Sequence, residues 1–218
     1  MPRSPEQNIA WDDTLLEREQ ETFRFWESPV PVVVLGRSGR PELDVNLPAC
    51  AAEGVPILRR SSGGGTVLLG PGCLNYALVL SLTTRPELTS VARSYEMILG
   101  WVVQAIALPG LEVAGSDILL DGRKVSGNSQ RRTRGWLLHH GTLLYEPMDL
   151  SQMERLLHEP VRQPPHRKGK SHAQFLAKLP LTREDLMARL YRTTTFVSPA
   201  LPGLWQERCD PTCLRSPT

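Results

Sequence analysis

The sequence is sparing in several things at once. Aromatic residues fill only 6% of its 218 positions, cysteine occurs four times, and 25 Lys and Arg nearly cancel 23 Asp and Glu. A net charge of +2 argues against nucleic-acid binding through bulk charge, which needs a clear cationic excess. No apolar run reaches the ~20 residues that cross a bilayer, so no membrane segment is expected. The opening stretch MPRSPEQNIAWDDTLLEREQ is acidic and has no apolar signal core. That predicts a cytoplasmic protein with reduced thiols. Cys50, Cys73, Cys209 and Cys213 are scattered, and the last two lack the second Cys or His pair of a four-ligand zinc site.

What remains is an ordinary globular composition, 40% hydrophobic and long enough for one sizeable core. Apolar positions at roughly helical spacing (Ile9, Leu15, Leu16, Phe23) predict an opening helix over 8–26. The β-branched run at 30–35, ended by Gly36, predicts a buried strand. Further strands are expected at 56–58, 66–69, 74–80 and 136–145, and a core helix over 91–108 that stops at Pro109-Gly110. Residues 117–125 read as a hairpin, because Asp121-Gly122 suits a two-residue turn. Ser151 and Glu154 suggest a capping box for a helix through Leu157. The proline-rich, basic stretch 159–172 is expected to be an exposed loop. A last helix should start at Thr182 and end near Tyr191. No internal repeat is found. The domain expectation is one unit over 1–195 with an irregular tail over 196–218, built as an α+β fold: a mixed, mostly antiparallel sheet flanked by helices.

Three segments carry chemistry. Arg59-Arg60-Ser61-Ser62-Gly63-Gly64-Gly65-Thr66-Val67 strips every Cβ from a short loop, so backbone can pass against a ligand. It is not a P-loop or a dinucleotide fingerprint, since no Gly-Lys-Ser/Thr follows and a strand leaves it. Its amides could cradle phosphate, or the loop could be a turn with solvated arginines. Gly122-Arg123-Lys124-Val125-Ser126-Gly127 puts Lys124 on a strand, aimed opposite to Arg123, where it could hold a carboxylate against a phosphate. His139 and His140 face opposite ways and cannot share a metal, which leaves packing or hydrogen-bonding roles. Thr142 could meet phosphate or a hydrated Mg²⁺.

Together, Arg-Arg-Ser-Ser-Gly-Gly-Gly-x-Val at 59–67, Asp117, Gly-Arg-Lys-Val-Ser-Gly at 122–127 and His-His-Gly-Thr-Leu-Leu at 139–144 resemble the lipoate–protein ligases, in order and spacing. The resemblance covers roughly residues 8–195. It implies a catalytic domain like those of biotin/lipoate protein ligases and class II aminoacyl-tRNA synthetases. It also implies activation of lipoate (or octanoate) with ATP and Mg²⁺ to an acyl-adenylate, followed by transfer to a lysine of a carrier domain. That acidic lipoyl carrier would be a 2-oxoacid dehydrogenase E2 subunit or a glycine-cleavage H protein.

By the same resemblance, Lys124 contacts both the lipoyl carboxyl and the α-phosphate. Arg60, Gly65, Thr66, Val67 and Leu68 line the nucleotide, Asp117 sits near adenine or the metal, and Thr142 lies near the phosphates. Ser61, Gly64, Gly127 and His140 border the acyl group. The pattern departs at Leu69, where many family members carry histidine, and at the C-terminal side, where larger ligases carry an accessory domain; a separate accessory subunit could supply it. The basic loop (Arg162, His166, Arg167, Lys168, Lys170, His172) could steer the carrier. Two other readings stay open. One is an ATP-independent octanoyl or lipoyl transferase, some of which use a cysteine nucleophile; Cys73 lies nearest the glycine loop. The other is a non-catalytic binder of lipoyl-adenylate.

Overall fold

Buried apolar runs set the order of the strands. The computed structural model describes residues 3–197. The strands are β1 (Thr22–Trp26), β2 (Val32–Leu35), β3 (Ile57–Arg59), β4 (Val67–Leu69), β5 (Cys73–Ser81), β6 (Leu111–Ala114), β7 (Asp117–Leu120), β8 (Arg123–Arg132) and β9 (Trp136–Leu144). The helices are α1 (Pro5–Glu17), α2 (Pro41–Asp44), α3 (Leu47–Glu53), α4 (Val91–Ile106), α5 (Leu150–Leu156), α6 (His172–Phe175) and α7 (Arg183–Val197).

β5 is buried at all nine positions, as a strand covered on both faces must be. It lies inside a six-stranded antiparallel sheet of order β1-β5-β9-β8-β7-β6. Leu74, Tyr76, Leu78 and Leu80 point to one face, against Ile98, Leu99, Val102 and Ile106 of α4 and Leu186 and Leu190 of α7. Ala77 and Val79 point to the other face, under Leu15 and Leu16 of α1. A second sheet, β3-β2-β4, pairs β2 parallel to β3 and antiparallel to β4. It shares an apolar core with α3, α5 and α6 through Val33, Cys50, Leu156 and Phe175. The fold is therefore α+β with a mostly antiparallel mixed sheet, as expected.

Several local expectations need correction. The opening helix stops at Glu17, and 22–26 is instead β1; Phe23 and Phe25 are buried in a strand whose five positions are all covered. Asp149, not Ser151, caps α5, accepting from the Ser151 amide. β6 was not anticipated; it completes a meander that extends the sheet beyond the hairpin. The hairpin turn is as expected, with positive φ at Asp121 (51°) and Gly122 (72°). α7 starts after Thr182, whose hydroxyl accepts from the Asp185 amide, and continues past Tyr191 to Val197. Cys209, Cys213 and the tail after 197 lie outside the described residues.

The basic stretch is more embedded than an exposed loop. Arg167 is buried, pairs with Glu159, and sits over the Phe175 ring at 5.2 Å. His172 is buried too, and burial lowers its pKa, with the charge of Arg167 adding to the effect. Arg162 and Lys168 remain exposed. Sequence spacing could not reveal this, because Glu159 and Phe175 contribute the inward-facing partners from opposite ends of the loop.

Candidate active site

The two sheets leave a cleft between the glycine loop and the middle of β8 and β9. The cleft holds two adjoining cavities. The first, of about 170 Å³, is lined by Ile9, Asp12, Trp26, Val34, Leu69, Tyr76 and His140, with Gly64 and Ser129 at its rim. The second, of about 260 Å³, runs beneath the basic loop, between Leu68, Leu144, Met153, His158, Arg162 and Phe175. Gly65, Thr66, Val67, Ser116, Asp117, Lys124, Gly127 and Thr142 wall both.

Lys124 reaches this junction because β8 is irregular. Ile118 pairs with Ser126 but Leu119 pairs with Lys124, which leaves Val125 as an extra, buried residue. Such a bulge re-aims neighbouring side chains. Lys124 and Gly127, three positions apart, thereby share the cavity side. The Lys124 ammonium lies 2.9 Å from Asp117 Oδ1. A Cβ on Gly127 would come within 2.8 Å of Lys124 Nζ, so glycine there makes room for the lysine head. Arg123 points away and donates to the Ala173 and Leu176 carbonyls, as the alternation predicts. Asp117 is buried, and its second oxygen accepts from His166 Nε2 at 2.9 Å. Both carboxylate oxygens are thus engaged. Among the described residues no group of three or more His, Cys, Asp or Glu is arranged to hold a metal ion. A dedicated Mg²⁺ cage at Asp117 does not fit this donor set; magnesium commonly arrives with the phosphates it coordinates.

The glycine loop is held from beneath by its own arginine. Arg60 Nε donates to Ser62 Oγ at 3.0 Å, and Nη2 donates to the carbonyls of Gly63 (2.6 Å) and Gly65 (2.8 Å). A further donor meets the Val34 carbonyl. Burial pulls its pKa down to about 10, still charged at neutral pH. Arg60 lines the first cavity, yet its charge is directed into the loop. Gly64 takes φ +83°, open to glycine alone at low cost, and its carbonyl passes so near Gly36 that a Cβ there would sit 2.1 Å away. With two carbonyls drawn toward Arg60, the amides of Gly63, Gly64, Gly65 and Thr66 find no acceptor among the described residues. Successive free amides suit an anion.

Each expected site residue can now be located. Lys124, Asp117, Gly65, Thr66, Val67, Gly127 and Thr142 meet at the junction, Gly64 and His140 line the first cavity, and Leu68 lines the second. Thr66 Oγ1 donates to Asp44, which also borders the second cavity. Ser61 lines neither cavity, because its hydroxyl turns to Asp13 on α1. His139 faces the core, stacked on Tyr76, while His140 bonds Asp12 and Ser62. Asp12 and His166 were not foreseen as site residues. Asp12 lay within a helix read only for its apolar spacing, and His166 within a run read only for charge.

Comparison with known proteins first defines the class. A bi-partite lipoate protein ligase from Thermoplasma acidophilum superposes with a TM-score of 0.76 at 20% identity, covering 90% of this chain and 80% of that one. A lipoate-protein ligase A bound with ATP superposes with a TM-score of 0.70 at 19% identity, covering 86% and 78%. The fold is that of lipoate-protein ligase catalytic domains. In sequence, lipoate-protein ligase LplJ of Bacillus subtilis is 31% identical over 134 residues, 60% of this chain and 39% of that protein. Octanoyltransferase LipM of Bacillus cereus is 27% identical over 181 residues, 69% and 64%. This chain therefore spans between 39% and 64% of the length of these two relatives. The lipoyl protein ligase A/B catalytic domain model matches residues 4–193, and the chain belongs to that family.

Proposed function

We propose that the protein is an ATP-dependent lipoate–protein ligase. One observation carries the reading: two cavities, one reaching Trp26, Val34 and Leu69 and one beneath a basic loop, meet at Lys124. An acyl chain in the first and a nucleotide in the second bring a carboxylate and an α-phosphate together at a single ammonium group. In the first half-reaction a carboxylate oxygen attacks the α-phosphorus and pyrophosphate leaves. In the second, the amine of a carrier lysine attacks the acyl carbon, AMP leaves and the amine loses a proton. Lys124 offsets the repulsion between the two anions, and the free loop amides donate to the phosphate oxygens on which charge gathers. Seating the adenylate in the cleft would limit the access of water to the mixed anhydride. Mg²⁺ would enter on the triphosphate and supply charge neutralisation there.

The reading favours ligase over a cysteine relay for a local reason. Neither Cys50 nor Cys73 lines either cavity, and burial pushes the Cys73 thiol far up, away from thiolate. The octanoyltransferase relatives favour a transferase as the second reading. Leu69, where the family resemblance implies histidine, lies in the wall of the first cavity and bears on how fast activation runs. The carrier we assign is an acidic lipoyl domain in the cytoplasm, of the E2 or glycine-cleavage H type. An accessory subunit is part of the proposal, since one related ligase is bi-partite.

The test combines purified protein, lipoate or octanoate, Mg-ATP and a carrier domain, with and without a candidate accessory subunit. The ligase releases pyrophosphate and adds an acyl mass to the carrier only with ATP. Acyl transfer from octanoyl-carrier without ATP, and no pyrophosphate, makes it a transferase. Lipoyl-adenylate binding without turnover makes it a binder.

A further inference from the structure

Asp12, His140 and Ser62 stand in the order of a Ser-His-Asp triad. His140 Nδ1 lies 3.2 Å from Asp12 Oδ2, and His140 Nε2 lies 2.5 Å from Ser62 Oγ. The serine is not a nucleophile here. It is 1% exposed, it lines neither cavity, and its oxygen already accepts from Arg60 Nε at 3.0 Å. The chain of bonds leads elsewhere. From Ser62 it passes through the Arg60 guanidinium to the carbonyls of Gly63 and Gly65. Ser129 Oγ adds a second donor to Gly63 at 2.7 Å.

Each link fixes the next. Asp12 is 4% exposed and is itself held by Arg24 Nη1 at 2.9 Å, so it stays an acceptor. It therefore selects the His140 tautomer with hydrogen on Nδ1, which leaves Nε2 to accept from Ser62. With its hydrogen committed to His140, the Ser62 oxygen is turned to receive Arg60. Arg60, pinned at Nε, can aim Nη2 only at the loop carbonyls. Neither His140 nitrogen is then free for a ligand in the first cavity; the ring is a wall.

We propose that Asp12 is a positioning residue for the acyl-transfer chemistry: through His140, Ser62 and Arg60 it sets the orientation of the glycine-loop amides that meet the acyl-phosphate. This rests on the ligase reading for its kinetic consequence but not for its structural one. Asp12→Asn and Ser62→Ala should each lower kcat for adenylate formation by about tenfold or more, the cost of losing one charge-assisted link. KM for the acid should change less, because the cavity wall remains. The double variant should be no slower than the slower single one.

Asp12→Asn also disturbs the buried Arg24 pair and could fail to fold. Ser62→Ala leaves that pair intact, and ¹⁵N NMR of wild-type His140 reports the tautomer without any activity. A protonated Nδ1 and an unprotonated Nε2, with a kcat loss in Ser62→Ala, support the relay. A protonated Nε2, multiplicative losses in the double variant, or losses confined to KM each overturn it. If wild type releases no pyrophosphate while His140 holds the expected tautomer, the ligase reading has failed and the relay has not.

Discussion

Lowering the pH should destabilise this fold through one residue in a way that can be isolated. His139 is fully buried on β9, between the rings of Tyr76 and Tyr95. Its Nδ1 meets Gln130 Nε2 at 3.1 Å, and its Nε2 has no hydrogen-bond partner among the described residues. Burial first, then the electrostatic influence of His140 and Arg132, depresses its pKa from 6.5 to about 3. The folded ring thus stays neutral where the unfolded one takes up a proton, so protonation favours the unfolded chain. The stability at stake is whole above the unfolded value. It falls by about 1.4 kcal/mol for each pH unit below that value, levelling off near the folded one. Between pH 7 and pH 5 the loss is about 2 kcal/mol. Urea unfolding of wild type and His139→Leu at both pH values separates this from all other titrations. The variant loses the stacking and the Gln130 contact, a cost independent of pH. The gap between the two proteins should therefore shift by about 2 kcal/mol in favour of the variant at pH 5. Equal gaps at both pH values would refute the assignment of a neutral, buried imidazole.

Other expectations follow from the junction. Lys124→Ala should keep its fold and lose pyrophosphate release by about 100-fold or more, since one preorganised charge at a developing anion contributes on that scale; full activity would remove the role given to the lysine. Gly127→Ala sets a methyl against the Lys124 head, so it should cost activity by about tenfold with little loss of stability, read by parallel turnover assays and melts. His166→Ala releases one oxygen of Asp117 and the loop above the second cavity, and should raise KM for ATP more than KM for lipoate. Carrier modification should slow with added salt, and Lys168→Glu combined with Lys170→Glu should abolish that dependence; an unchanged salt slope ends the steering idea.

Much of this was legible because glycine and lysine leave strong local signatures. The glycine loop, the Asp121-Gly122 turn and the strand carrying Lys124 all follow from residue chemistry within a few positions. What escaped depends on partners far along the chain. Asp12 meets His140 across 128 positions, and Asp13 meets Ser61 across 48. No period or motif encodes such a pairing. Arg60 illustrates the limit from the other side. Its place beside the glycines was evident, but only the fold reveals that its donors serve the loop's carbonyls. Phe23 continues the apolar spacing begun in α1 and so mimics a helix, while the complete burial of β1 arises from β5 and the elements packed on the sheet.

The single surplus residue in β8 bears on any attempt to transplant this site. On a straight strand Lys124 and Gly127 would face opposite ways, one toward the cleft and the other into packed hydrocarbon. Grafting the hexapeptide onto an even-registered sheet would thus leave either the lysine or the glycine off the cleft. Val125 has to travel with the motif, together with a neighbouring strand able to skip one rung opposite it.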